Sequence, residues 1–283
     1  MVVHYHLPEN DALSISFVNP DLDVVEDEES TYREQTTAIR RYYLEQPVHV
    51  LYTGTEPPET SRIVETSHES VLRQMEESNR IITIRVLGAL SSLVSESRSS
   101  ASEELRSYKS LEPGGVATAL DRTAWDGTVP EVGGRLLSNL LFRHPLPNAN
   151  HRVSLALVER YVAAHECGSD AADETEFDWT DWVDEYVRES KRLLTVGRNA
   201  PRFFYLESFG CDRVAGKGGI EILLDEHELF TDIERSLDHH ARRHRRLCVD
   251  LVETLLDEQN RGGLSERPGL SKTAFARRLR EMD

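Results

Sequence analysis

Two apolar stretches of helical period, residues 130–143 and 150–165, are separated by a six-residue segment, His144-Pro145-Leu146-Pro147-Asn148-Ala149. Val132, Leu136, Leu137, Leu140 and Leu141 recur on one face of the first stretch, and Val153, Leu157, Tyr161 and Ala164 on one face of the second. Such spacing predicts two helices that bury one stripe each. The intervening prolines cannot continue a helix, so the pair must fold as helix, tight loop, helix. Pro130 is suited to the first turn of the opening helix, where its missing N–H costs nothing.

The rest of the chain reads as mainly α. Met75, Ile82, Val86, Leu90 and Leu93 predict one long helix or two in tandem over residues 67–95, and the serine-rich stretch 95–102 a loop. Pro113-Gly114-Gly115 leads into a helix from Val116 to about Thr123, followed by the polar turn Trp125-Asp126-Gly127-Thr128. Downstream, residues 179–194 read as helix, with Trp179 and Trp182 as core anchors, 208–219 as a glycine-containing loop, and 220–259 as predominantly helical. A last helix over 273–282 is capped by Ser271.

The amino-terminal part differs. Leu13, Ile15 and Phe17 alternate with polar residues and Val48–Tyr52 favours a strand, while the acidic stretch 21–29 between them reads as solvated. Pro57-Pro58 marks a boundary. The resulting organisation is a small α+β region over 1–60, a helical domain over 61–197 and a helical extension over 198–283.

With 50 acidic against 33 basic residues the net charge is −17, and only Lys109, Lys191, Lys217 and Lys272 are lysines. An acidic surface whose cations are nearly all arginine suits a protein kept soluble in concentrated salt, which implies a halophilic source. It argues against broad nucleic-acid binding, which needs clustered positive charge. Cys167, Cys211 and Cys248 are odd in number and widely spaced, so neither a disulfide framework nor a zinc ribbon is expected. A reducing cytoplasm fits. The most apolar run, 81–94, is broken by Arg85 and by Ser91-Ser92, so no membrane span and no signal peptide are expected.

The loop carries the chemistry. A helix N-terminus presents backbone N–H groups and the positive end of the helix dipole, which suits phosphate. Asn148, Ala149, Asn150 and His151 bring backbone there, Arg152 adds a fixed cation, and His144 can accept a proton near neutrality. Base, anion cradle and arginine within nine residues make a workable phosphoryl- or nucleotidyl-transfer site.

His144, Ala149, Asn150 and Arg152 in this order resemble the Fic/Doc signature H-x-F-x-[DE]-[GA]-N-[GK]-R, with Leu146 in the phenylalanine position. The resemblance covers roughly residues 65–195. It implies a helical bundle in which the motif joins two antiparallel helices, with Trp125–Thr128 as the turn of a flap. It also implies transfer of a phosphate-containing group from ATP or another nucleotide to a protein hydroxyl, with His144 as general base and residues 148–152 on the nucleotide phosphates. Asn148 stands where the family has a carboxylate that holds Mg²⁺, and an amide binds that cation more weakly. His151 replaces the second glycine of AMP-transferring Fic enzymes, and Leu155 their second arginine. Doc lacks both and resembles a kinase of elongation factor Tu, so Doc-like phosphoryl transfer in a toxin-type role leads. AMP transfer and a non-catalytic binding or regulatory module are the alternatives. A translation factor as acceptor and an antitoxin-like protein are the implied partners.

Weaker signals lie near the carboxyl end. His240, His244 and Cys248 fall on one helix face, which is ordinarily solvated rather than a metal site. Arg242, Arg243, Arg245 and Arg246 are expected to pair with Asp250, Glu253 and Asp257. Gly216-Lys217-Gly218 lacks the spacing of a phosphate loop, and residues 271–279 read as an ordinary terminal helix rather than a DNA-reading one.

Overall fold

A computed structural model describes residues 2–54, 68–99, 105, 109–166 and 181–282. The Pro57-Pro58 boundary, Cys167 and Trp179 lie outside the described residues. In chain order the elements are β1 (Val2–His4), β2 (His6–Leu7), β3 (Asn10–Asn19), α1 (Leu22–Glu29), β4 (Thr36–Tyr43) and β5 (Pro47–Gly54). Then come α2 (Glu69–Gln74), α3 (Glu77–Ser99), α4 (Pro113–Asp121), α5 (Val129–Arg143), α6 (Asn150–Ala163) and α7 (Asp181–Ser208). The chain finishes with β6 (Arg213–Ala215), β7 (Glu221–Leu223), α8 (Ile233–Glu258) and α9 (Lys272–Glu281). The protein is therefore mainly helical, with its strands concentrated near the amino terminus.

Residues group into two compact units that are discontinuous in sequence: 1–59 with 188–243, and 60–187 with 244–283. Residues 188–243 thus group with the amino-terminal segment, and 244–283 with the middle of the chain.

In the first unit β2, β3, β5 and β4 form an antiparallel sheet in that order. Leu13, Ile15, Val48, Val50 and Tyr52 pack from the sheet into one core with Val196, Phe203 and Leu206 of α7. The acidic stretch 21–29 is helical as well as largely exposed, with Val25 buried. A second sheet corrects the sequence reading of 208–219 as loop: β6 runs parallel to β1, with Val3 opposite Val214, and antiparallel to β7. Residues 220–232 likewise are not α-helical, since α8 begins only at Ile233. Helix α7 continues past 194 and through Pro201 to Ser208. A proline at that place leaves the carbonyl four residues earlier without its helical donor. That carbonyl belongs to Gly197, and the Ser236 hydroxyl donates to it at 3.2 Å.

In the second unit α2 and α3 are the expected helices in tandem, although α3 runs on to Ser99, so residues 95–99 are not loop. Helix α3 packs on α4, α6 and α9, and α5 packs on α4 and α6. Helix α5 opens where the sequence places it: Glu131 accepts from the Thr128 N–H at 2.8 Å, and Pro130 sits in the first turn. Helix α9 is capped by Ser271, which accepts from Ala274 N–H, and buries Phe275, Ala276 and Leu279. Residues 125–128 are bridged to 267–269, with Val129 N–H donating to Arg267 at 3.0 Å and Gly269 N–H to Gly127 at 2.8 Å.

Candidate functional site

The loop between α5 and α6 is closed at both ends by residues in left-handed conformation. His144 ends α5 with φ 50° and ψ 55°, donating its N–H to Leu140 at 2.8 Å, and Ala149 precedes α6 with φ 55° and ψ 23°. Neither is glycine, so each conformation costs on the order of 1 kcal/mol and must be held by its surroundings. Three buried residues between them, Pro145, Leu146 and Pro147, provide part of that hold. Leu146 fills the core position expected of a large apolar residue, at 1 % exposure.

Asn150 provides another part. Its amide oxygen accepts from Leu146 N–H at 3.0 Å, and its amide nitrogen donates to the Leu146 carbonyl at 2.9 Å. The side chain is buried and turned into the loop it closes. Asn150, expected from sequence to touch phosphate, is thus a residue that shapes the loop. Asn148 accepts with its amide oxygen from Ala149 N–H at 2.6 Å. His144, Asn148, Ala149 and His151 are half-buried and Arg152 is exposed. The first turn of α6 directs its N–H groups out of the helix end beside them.

The start of α4 grips this loop from the side, a feature not read from the sequence. Glu112 N–H donates to the Pro145 carbonyl at 2.9 Å, while its carboxylate takes Arg143 at 2.9 Å and Lys109 at 3.1 Å. Both chain neighbours of His144 are therefore tied to one residue. Gly115 explains the close approach, because a Cβ there would lie 3.1 Å from Pro145 Cβ, whereas at Gly114 it would meet nothing within 4 Å. Pro113-Gly114-Gly115 was the available signal, but only the fold says which glycine faces the loop.

The carboxyl-terminal signals resolve differently from expectation. His240 and His244 are not solvated, since both are wholly buried and Cys248 with them. The arginines around them lie on other faces of the same helix, and Arg242, Arg245 and Arg246 are exposed. Ser138 Oγ is 2.8 Å from His244 Nδ1, and Cys248 Sγ is 3.6 Å from the same nitrogen. Burial pushes the Cys248 thiol above the usual range, so it is an inert core residue. Arg242 pairs with Asp238, one turn upstream, instead of with the acids downstream. Lys217 pairs with Asp11 at 3.1 Å. Trp182 is half-buried, edge-on to Tyr186. Among the described residues no group of three or more His, Cys, Asp or Glu could hold a metal ion, and no helix is long and apolar enough to cross a membrane.

The chain belongs to the family described as "Family of unknown function (DUF8172)", which matches it over residues 1–283. Nothing matches among curated proteins or among solved structures.

Proposed function

We propose that this member of the DUF8172 family moves a phosphate-containing group from a nucleotide to a protein hydroxyl, most directly the γ-phosphoryl group in a Doc-like manner. The observation that carries the reading is the α5–α6 loop, which holds a histidine at one end and a helix N-terminus followed by Arg152 at the other. In the step proposed, His144 takes the proton of the attacking hydroxyl. The hydroxyl oxygen bonds to the γ-phosphorus, the bond to the β-phosphate oxygen breaks, and the diphosphate leaves. Backbone N–H groups at Asn150 and His151, at the start of α6, and the Arg152 guanidinium receive the phosphate charge. Asn150 acts indirectly, by keeping the loop in shape.

A resident Mg²⁺ does not fit the residues present. The one side chain at the expected ligand position is an amide whose oxygen already accepts a hydrogen bond, and a hard dication needs carboxylates.

The test is to incubate the protein and a cell extract with ATP labelled on the γ- or the α-phosphate. Label from the γ position is expected on protein, reduced about 100-fold or more in His144→Ala, as for loss of a general base. Label from the α position alone turns the reading to AMP transfer. If neither label reaches protein and His144→Ala changes nothing, the enzyme reading fails. The non-catalytic binding module is then favoured, a second reading motivated by Asn148; under it, Asn148→Asp restores no transfer. A small antitoxin-like partner and a translation factor as acceptor follow from the leading reading.

A further inference from the structure

Glu159 on α6 is buried, at 5 % exposure, in a place where the mechanism above does not use it. Its Oε1 accepts from the Gln259 side-chain amide at 3.3 Å, at the carboxyl-terminal end of α8. The two remaining oxygens of the pair, Glu159 Oε2 and Gln259 Oε1, are both buried, and no donor among the described residues reaches either. Two stranded acceptors on a hydrogen-bonded pair are costly, the more so when one of them is charged. One added proton removes both defects, because a carboxylic acid can donate its O–H to an amide oxygen while accepting from the amide N–H. We propose that Glu159 carries its proton in the folded protein at mildly acidic pH, bonded through its O–H to the Gln259 amide oxygen, so that this proton clasps α6 to the end of α8.

The surrounding charges fit. Arg261 is the cation next to the pair from the segment after α8, but its Nε is engaged by Glu166 at 3.3 Å, and Arg160 is exposed on the solvent side of α6. Burial pushes the Glu159 carboxyl up to about 7, against the opposing pull of Gln259, Arg261 and Arg160. Ionisation leaves the carboxylate facing an amide oxygen, and the available relief is for Arg261 to exchange Glu166 for Glu159. The pair is thereby a proton-dependent clasp on the helix that begins at the Ala149–Asn150 loop.

Isotope-edited infrared spectroscopy on the full chain carrying ¹³C-labelled glutamate reads this directly. At pH 6 a protonated carboxyl band is expected that shifts in D2O, is absent from Glu159→Gln, and fades as pH rises through about 7. Glu159→Gln can form the same two bonds as an amide pair and is expected to fold. Because a raised carboxyl pKa stabilises most below the unfolded value of 4.5 and loses that contribution as pH rises through about 7, wild type weakens against Glu159→Gln over this interval. The ratio of their unfolding constants is expected to move by up to roughly two orders of magnitude. No protonated band at pH 6 beyond that of Glu159→Gln, or a ratio flat from pH 4.5 to 7, overturns the proposal.

Discussion

His240 and His244 lie one turn apart on α8, and each is wholly buried, yet their surroundings are opposite in kind. His244 has the Ser138 hydroxyl at 2.8 Å, the edge of Phe142 with ring centroids 5.1 Å apart, and the Cys248 thiol beside it. Around His240 are other imidazoles, His239 at 5.0 Å and His227 at 6.3 Å between centroids, and among the described residues no partner stands in good hydrogen-bonding geometry to either of its ring nitrogens. Close backbone approach accounts for the burial in both places. Gly197 of α7 faces His240, where an added Cβ would stand 3.0 Å from the histidine Cβ, and Gly134 of α5 faces Val249, where the same atom would stand 2.6 Å from backbone nitrogen. Glycine contacts bring α8 in equally deep at the two histidines, but only one receives it with a hydroxyl in position. The first histidine is a neutral space-filler and the second a hydrogen-bonded anchor.

The largest expected effect comes from Gly134→Ala. Its Cβ meets the Val249 main chain, which cannot rotate away, so α5 and α8 must separate and His244 must leave Ser138. A loss of about 3 kcal/mol in urea unfolding is expected. Gly88→Ala on the exposed face of α3, with nothing within 4 Å, is expected to be neutral or slightly stabilising.

Acid is next. Burial, His239, His227 and Arg243 lower the His240 pKa to about 4, against a weaker opposite pull from the Glu228 backbone. A group depressed below its ordinary 6.5 binds fewer protons folded than unfolded, so stability falls as pH drops from 6.5 towards 4 and levels off below. The contribution is on the order of 3 kcal/mol. His6, His165 and His227 shift in the same direction and add to it. His240→Leu should match wild type at pH 7 and show a flatter acid limb in thermal melts taken from pH 7 to 4. A steepness unchanged by that substitution would mean that His240 finds a partner on protonation. Smallest is Ser138→Ala, expected to cost about 1 kcal/mol at pH 7 by removing the hydroxyl from His244 Nδ1 and leaving the weaker Cys248 thiol beside it. No cost would make the two histidines equivalent after all.

What could be read from the sequence followed from how locally each feature is determined. Helices α5 and α6 and the loop between them were legible because Pro130, the prolines of the loop and the apolar spacing all act within a few residues. Ser271 named the start of α9 for the same reason. Strand β6 was not legible, because three residues between glycines become a strand only through Val2–His4 at the far end of the chain. Pro201 concealed the length of α7, since the Ser236 hydroxyl that compensates it is distant in sequence. At the site the residue types were legible but not all their tasks. Glu112 and Glu159 belong to no motif, and their roles exist only through Pro145, Arg143 and Gln259.

Asn150 bears on how genetic experiments with this chain are to be interpreted. Its amide replaces the hydrogen-bonding partners that the Leu146 peptide groups would otherwise find in water. An Asn150→Ala strain with lost activity therefore reports a collapsed turn, whatever binds there. A change at Arg152, which stands exposed at the helix start, separates recognition from architecture only when the variant's stability is measured beside its activity.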